Sequence, residues 1–273
     1  MSERVTLTPR APLARPVVAE CIAGDRFAAL SEAEIAALVL WDGRTAIALG
    51  DAFTVRGDHS PNVVIEGDAA HLDGVGTAMR EGEIAIAGSV GRGAGARMSG
   101  GAIRIAGGAG SDAGIAMSGG LLEIGGSAGD RVGGALPGAS KGMTGGEIIV
   151  RGAAGREAGA RMRRGTLWCA SAGEGAGTAM IAGNLIVAGA LADGAGAGNK
   201  RGSIVALGAI RIAATYAYAC TYRPPHVRLM LRSLRARHAL PISDAQVHGL
   251  YRRYSGDLAD IGKGEILEWH PTS

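Results

Sequence analysis

Six methionines, Met79, Met98, Met117, Met143, Met162 and Met180, head units that share one pattern, and no other feature of the chain restricts its fold as severely. They are 19, 19, 26, 19 and 18 residues apart, and a further unit without its Met begins near Asn199, again 19 residues on. Periodicity on this scale is the mark of a repeat architecture, in which a unit too small to bury its own apolar side buries it against its neighbours. The long interval is the 19-residue unit plus about seven residues, most simply Gly134 to Ser140, which are expected to leave the repeat as a surface loop.

Inside each unit a glycine follows three residues after the methionine position, at 82, 101, 120, 146, 165, 183 and 202. Two and four residues further come apolar pairs: Ile84/Ile86, Ile103/Ile105, Leu122/Ile124, Ile148/Val150, Leu167/Cys169, Leu185/Val187 and Ile204/Ala206. Period two reads as a short strand with one buried face. Glycine then returns at 88, 107, 126, 152, 189 and 208, with Ser171 as the exception. Stacking such units places like residues over like at about 4.8 Å, the spacing of strands in a sheet. The expected fold is all-β: a right-handed parallel β-helix of about 19 residues per coil, with the methionines as one interior column. Collagen requires glycine at every third residue, and a flexible linker would not keep its aliphatic residues in register. A hexapeptide β-helix would repeat its aliphatic residues every six positions, and these do not.

Composition agrees. Across 273 residues, 47% are apolar and 19% charged, outside the range of a disordered chain. The 47 glycines beside only 4% aromatics suit close backbone packing around small side chains. Net charge is +3, but residues 209 to 253 hold eight arginines against one acid, Asp244. A basic block of this kind reads as a solvated face or a protein interface before it reads as a nucleic-acid site. Cys21, Cys169 and Cys220 are far apart and form no C-x-x-C pair, so neither a disulfide framework nor a zinc site is expected. With no signal-peptide core and no run of 18 apolar residues, the expected location is the cytoplasm, away from membranes.

Three segments follow: a small α/β cap over residues 1–48, the repeat over 49–208, and a helical extension over 209–273. In the cap, Ser31 and Glu34 have capping-box spacing, Ile35, Leu38 and Val39 form an apolar stripe, and Gly43 is a stop, which predicts a helix. In the extension, Val227, Met230, Leu231 and Leu234 share one helical face and Arg228, Arg232 and Arg235 another. That helix is expected to cover the last coil or to dock on a partner.

The M-x-G-G-x-[IVL]-x-[IVL]-x-G-x-x-G unit resembles the GXGXG β-helix at the end of glutamate synthase large subunits. The flanks, LGDAFTVRGD (Leu49 to Asp58) and YRRYSGDLADIGKGEILEW (Tyr251 to Trp269), resemble the C subunits of formylmethanofuran dehydrogenases and of the related bacterial formyltransferase/hydrolase complexes. The resemblance spans nearly the whole chain. It implies a non-catalytic scaffold in one-carbon metabolism, within a complex that passes a formyl group between tetrahydromethanopterin and a methanofuran-like carrier. It further implies amidohydrolase-like and formyltransferase partner subunits, with any metals in another subunit and no cofactor bound by this chain.

The residues themselves carry little catalytic signal. Six histidines include no H-x-H or H-E-x-x-H pair, and Cys169 occupies an interior strand position, as a small core residue would. Strings such as GRGAGA look like a phosphate loop but recur as corners, with no Gly-Lys-Ser/Thr following. The repeat register aligns Arg92 with Arg156 and Arg97 with Arg161, each pair three coils or roughly 14 Å apart, with Arg163 and Arg164 following. These basic columns are the candidate sites for the anionic tail that carriers of the resembled family bear; capping of corners or pairing with acids would account for them equally. A stand-alone β-helix acting on a polysaccharide is the alternative function. It calls for stacked carboxylates and exposed aromatics, and the chain is poor in the latter, with three Trp, five Tyr and two Phe.

Overall fold

The computed structural model describes residues 4–271, and its architecture is mostly sheet. A 13-stranded sheet runs, in spatial order, through Phe53–Arg56, Val5–Pro9, Asn62–Ile65, Glu83–Ile86, Ala102–Ile105, Leu121–Ile124, Glu147–Ala154, Thr166–Ala172, Asn184–Val187, Ser203–Ala206, Gly264–His270, Leu250–Gly256 and Ala217–Tyr222. From Asn62–Ile65 to Ser203–Ala206 every strand pairs in parallel with its neighbour in the next unit along the chain.

Register follows the repeat. Ile84 pairs with Ile103, Ile103 with Leu122, Leu122 with Ile148, Ile148 with Leu167, Leu167 with Leu185 and Leu185 with Ile204. All of these are fully buried, as are the six methionines. A second parallel ladder, one residue per unit, runs through Ala69, Val90, Ala109, Ala128 and Ala154, and Ala172 carries it on through Leu191 to Ile210. Corners are tied by backbone bonds from unit to unit, such as Ser118 N–H to the Met98 carbonyl at 2.8 Å and Leu121 N–H to Gly101 at 3.0 Å. Each unit therefore satisfies its backbone groups on its neighbours, which fixes register as strictly as the buried side chains do.

Both irregular intervals are absorbed between ladders. In the long one, the Gly134 carbonyl still accepts from Ala116 N–H, and Met143 N–H donates to the Gly133 carbonyl at 2.9 Å. The excursion is thus Ala135–Lys141, one residue later than the sequence suggested, and Leu122 and Ile148 remain paired across it. In the short interval, Val150 pairs with Cys169 but Ala153 with Ser171, so the corner that lacks its glycine is one residue short and its neighbour bulges.

The cap departs from its predicted helix. Ser31 and Glu34 form the capping box, but the helix is only Glu32–Ala36. Val39–Asp42 then pairs with Thr45–Ala48 as an antiparallel hairpin around Gly43 at φ +61°. The Asp-Gly pair after Val-Leu-Trp is a hairpin signal, and turn chemistry outweighed the helical stripe. This hairpin belongs to a separate four-stranded sheet, continued by Val17–Val18 and Leu72–Asp73.

Beyond the repeat, Gly264–His270 pairs in parallel with Ser203–Ala206, and Leu250–Gly256 and Ala217–Tyr222 add on antiparallel. The predicted basic helix is Pro225–His238. It buries Val227, Leu231 and Leu234 against Ile149, Trp168, Ile186, Val205 and Leu267 of the large sheet.

Candidate functional site

The four arginines aligned by the repeat end in different surroundings. Arg92 donates its backbone N–H to Asp73 (2.7 Å) and its guanidinium to Asp112 (2.7 Å). Arg131 contacts the same carboxylate through Nε and Nη2, both at 2.8 Å, so Asp112 sits between two cations. The hydrogen bond and charge of Asp112 push Arg92 still further above its ordinary pKa. Arg156 repeats the backbone contact with Asp130 (2.8 Å) and pairs with Glu174 at 3.2 Å. The recurring aspartate-to-N–H bond explains why an acid recurs near these corners: it caps the turn of the next unit.

Arg97 and Arg161 precede their methionines, at φ +58° and +57°. Ala78, Ala116 and Ala179 hold the same place at similar φ, so this left-handed corner is imposed by the stack and not by the side chain. Arg161 donates to the Ala139 carbonyl (2.8 Å) and so braces the Ala135–Lys141 excursion. Arg97 is exposed and makes no ion pair among the described residues. The columns predicted from sequence are thus not one cationic stripe. Arg92 and Arg156 are matched by carboxylates, Arg161 is engaged by a carbonyl, and Arg97 alone of the four is uncommitted.

Arg97 borders a hollow of about 730 Å³ between the small sheet and the first repeat units. Val18, Val39 and Trp41 line it with Arg26, Arg80, Glu20 and Asp25, and Cys21 and Thr77 are among the buried residues along it. Asp25 accepts from the backbone N–H groups of Arg26 (3.1 Å) and Arg80 (3.3 Å). The Cys21 thiol is pushed up to about 11 by burial, against a smaller opposing pull from Arg26, and so stays protonated at neutral pH. Sequence reasoning passes over this hollow because its walls come from segments far apart in the chain.

Among the described residues no group of three or more His, Cys, Asp or Glu is placed to hold a metal ion. Cys169 is fully buried and its thiol is raised to about 12 by desolvation, in keeping with a core residue. His238 does meet a carboxylate, Glu147 (3.1 Å), but Arg237 grips that same carboxylate at 2.6 Å through both nitrogens, so the cluster fastens helix to sheet. No helix of the described residues is long and apolar enough to cross a membrane.

No family model matches the chain. It is 52% identical over 267 residues to the C subunit of the formyltransferase/hydrolase complex Fhc of Methylorubrum extorquens, an alignment covering 98% of this chain and 96% of that protein. Its structure superposes, with a TM-score of 0.90 and 39% identity, on a chain in the crystal structure of the formyltransferase/hydrolase complex (FhcABCD) from Methylorubrum extorquens in complex with methylofuran. That match covers 98% of this chain and 100% of the other. Identity of this order, sustained from end to end, means that the chain belongs to the family of Fhc C subunits of the formyltransferase/hydrolase complex.

Proposed function

We propose that the chain is a non-catalytic scaffold of a formyltransferase/hydrolase complex, built as a right-handed parallel β-helix of about 19 residues per coil. Residues 1–48 cap one end, 49–208 form the coils and 209–273 close the other end. Right-handedness is what a crossover between parallel strands of one sheet adopts in nearly every protein. The observation that carries the scaffold reading is the in-register ladder itself: its polar side chains are spent on holding neighbouring units together, as at Asp112, and on fastening the helix to the sheet, as at Glu147.

In this reading the partners are the formyltransferase and amidohydrolase-like subunits. Formyl transfer between tetrahydromethanopterin and a methanofuran-like carrier, with release of formate, belongs to them. The polysaccharide alternative finds less support, since the exposed aromatics Trp41 and Tyr218 lie in different sheets and do not form a stacking platform.

The arginine columns have a weaker part. Exposed ion pairs contribute little and leave charge near the surface, so Arg92, Arg97, Arg156 and Arg161 could attract an anionic carrier tail at long range, with Arg97 the least compensated. One experiment tests both levels. Purified alone, the chain is expected to turn over no formyl substrate, and adding it to the other subunits is expected to restore a full-sized, active complex; robust turnover by the isolated chain overturns the scaffold reading. In the reconstituted complex, Arg97→Glu with Arg161→Glu is expected to raise the KM for the carrier at low salt with assembly intact. An unchanged KM removes the columns from carrier handling.

A further inference from the structure

The surface of the described residues exposes seven large apolar side chains, and three of them, Val18, Val39 and Trp41, line one hollow. They are adjacent by construction. Val18 pairs directly with Trp41 across the antiparallel strands, and Val39 lies two residues before Trp41, on the same face of its strand. Trp41 is 48% exposed, Val39 44% and Val18 41%, and the opposite face of the same strand holds the fully buried Leu40. Around this strand pair the sheet is therefore apolar on both faces, although antiparallel strands ordinarily turn a polar face to water.

The rim is basic. Eleven arginines of the chain, among them Arg92, Arg131 and Arg156, have carboxylate partners. Arg26 and Arg80, which line the hollow with Trp41, have none among the described residues: Asp25 accepts from their backbone N–H groups, and Glu20, the other acid of the lining, pairs with neither, so with Arg97 the lining holds three arginines against two acids. An apolar centre with an exposed aromatic, edged by unmatched arginines, is the composition of a protein–protein interface core and rim.

We propose that the Val18–Val39–Trp41 face is a docking surface for a segment of another subunit of the complex, one that presents an aliphatic or aromatic side chain to Trp41 and carboxylates to Arg26 and Arg80. Charge complementarity selects that chemistry: the two guanidiniums call for acids, and the apolar wall excludes a purely acidic tail, which would leave Trp41, Val39 and Val18 wet. The inference rests on membership of a hetero-oligomeric complex; Arg97, which borders the same hollow, is left out of its test, so that docking and carrier handling are read from different variants.

The test measures binding of the full chain to the remaining subunits, not turnover. Trp41→Ser with Val39→Ser, and separately Arg26→Glu with Arg80→Glu, are each expected to weaken assembly by at least about tenfold. Trp41→Phe is expected to retain most of the affinity. Because all four residues project from the surface, the melting temperature of the isolated variants is expected to hold. Amide hydrogen exchange on the unaltered protein gives the second reading, with segments 17–26 and 37–42 gaining protection on assembly. Unchanged affinity in both double variants, or unchanged exchange there, overturns the proposal. So does a result in which inorganic phosphate or a short glutamate peptide protects these segments while assembly leaves them open, since the hollow is then a small-anion site.

Discussion

Gly120 shows what a single backbone atom is worth in this architecture. Its φ is +84°, and a Cβ there would stand 2.7 Å from the Gly101 carbonyl oxygen and 2.6 Å from Met98 Cε of the unit below. Two costs then add: about 1–2 kcal/mol for a side chain in the left-handed region and about 1–3 kcal/mol for forcing atoms into a filled interior. Gly138 is the internal control. It has a similar φ of +77°, but nothing lies within 4 Å of its would-be Cβ. Gly120→Ala is expected to cost about 2–5 kcal/mol and Gly138→Ala about 1–2 kcal/mol, read as urea midpoints of the two variants. Equal losses would mean that backbone conformation, and not contact between units, makes the repeat need glycine. The arginines teach the converse at this scale. Sequence register alone aligned Arg92 with Arg156 and Arg97 with Arg161, but which of them is neutralised depends on acids 18 to 20 residues away.

Among the elements, the excursion in the third unit, headed by Met117, separates what the stack requires from what it tolerates. Gly133, Gly134 and Met143 keep their ladder bonds, whereas Ala135–Lys141 make few contacts with it beyond the Arg161 guanidinium on Ala139. Removing Ala135–Lys141 restores a 19-residue interval and brings Gly134 next to Gly142. That deletion is expected to leave the apparent melting temperature within a few degrees of the parent, since the loop buries little and its closure entropy is recovered. A collapse of folding would show that the loop, and not the flanking glycines, sets register. The cap illustrates a competition between local signals. An apolar stripe favoured a long helix, and a five-residue helix followed by an Asp-Gly hairpin is what formed, leaving Val39 and Trp41 on an open face.

At the scale of the molecule, the C-terminal extension is held to the stack by more than apolar contact. The last turn of the Pro225–His238 helix puts Arg237 and His238 on Glu147, and Arg151 donates to the His238 carbonyl at 2.7 Å. Burial alone would raise the Glu147 carboxyl, but the hydrogen bonds and charges of Arg237 and His238 outweigh it and hold the pKa below the ordinary value. A depressed folded pKa means that this stabilisation is complete above the unfolded pKa, about 4.3, and is lost as pH falls through the lower folded value. Glu147→Gln is accordingly expected to cost about 1 kcal/mol at pH 7, a figure already reduced for the half-exposed Arg237, and progressively less below about pH 4. Chemical denaturation at pH 7 and pH 3.5 checks it; a pH-independent difference would mean that packing, and not ionisation, is what the glutamate supplies.

The sequence alone determined the repeat, its strand positions, its buried methionine column and the docking helix, because these depend on patterns of period two, 3.6 and 19 that any stacking must obey. One further signal is legible in the chain. The outward strand position reads Ala85, Arg104, Glu123 and then Ile149, Trp168, Ile186, Val205, and the change from polar to apolar marks where the helix lies. Tertiary structure decided the rest. The N-terminal strand Val5–Pro9 enters the large sheet between Phe53–Arg56 and Asn62–Ile65, a contact that no local pattern announces. The hollow beside Trp41 exists only because residues 18–41 fold against residues 77–97. Local periodicity specifies which face of an element must be covered; what covers it depends on long-range contacts, and those are made only when the whole chain closes.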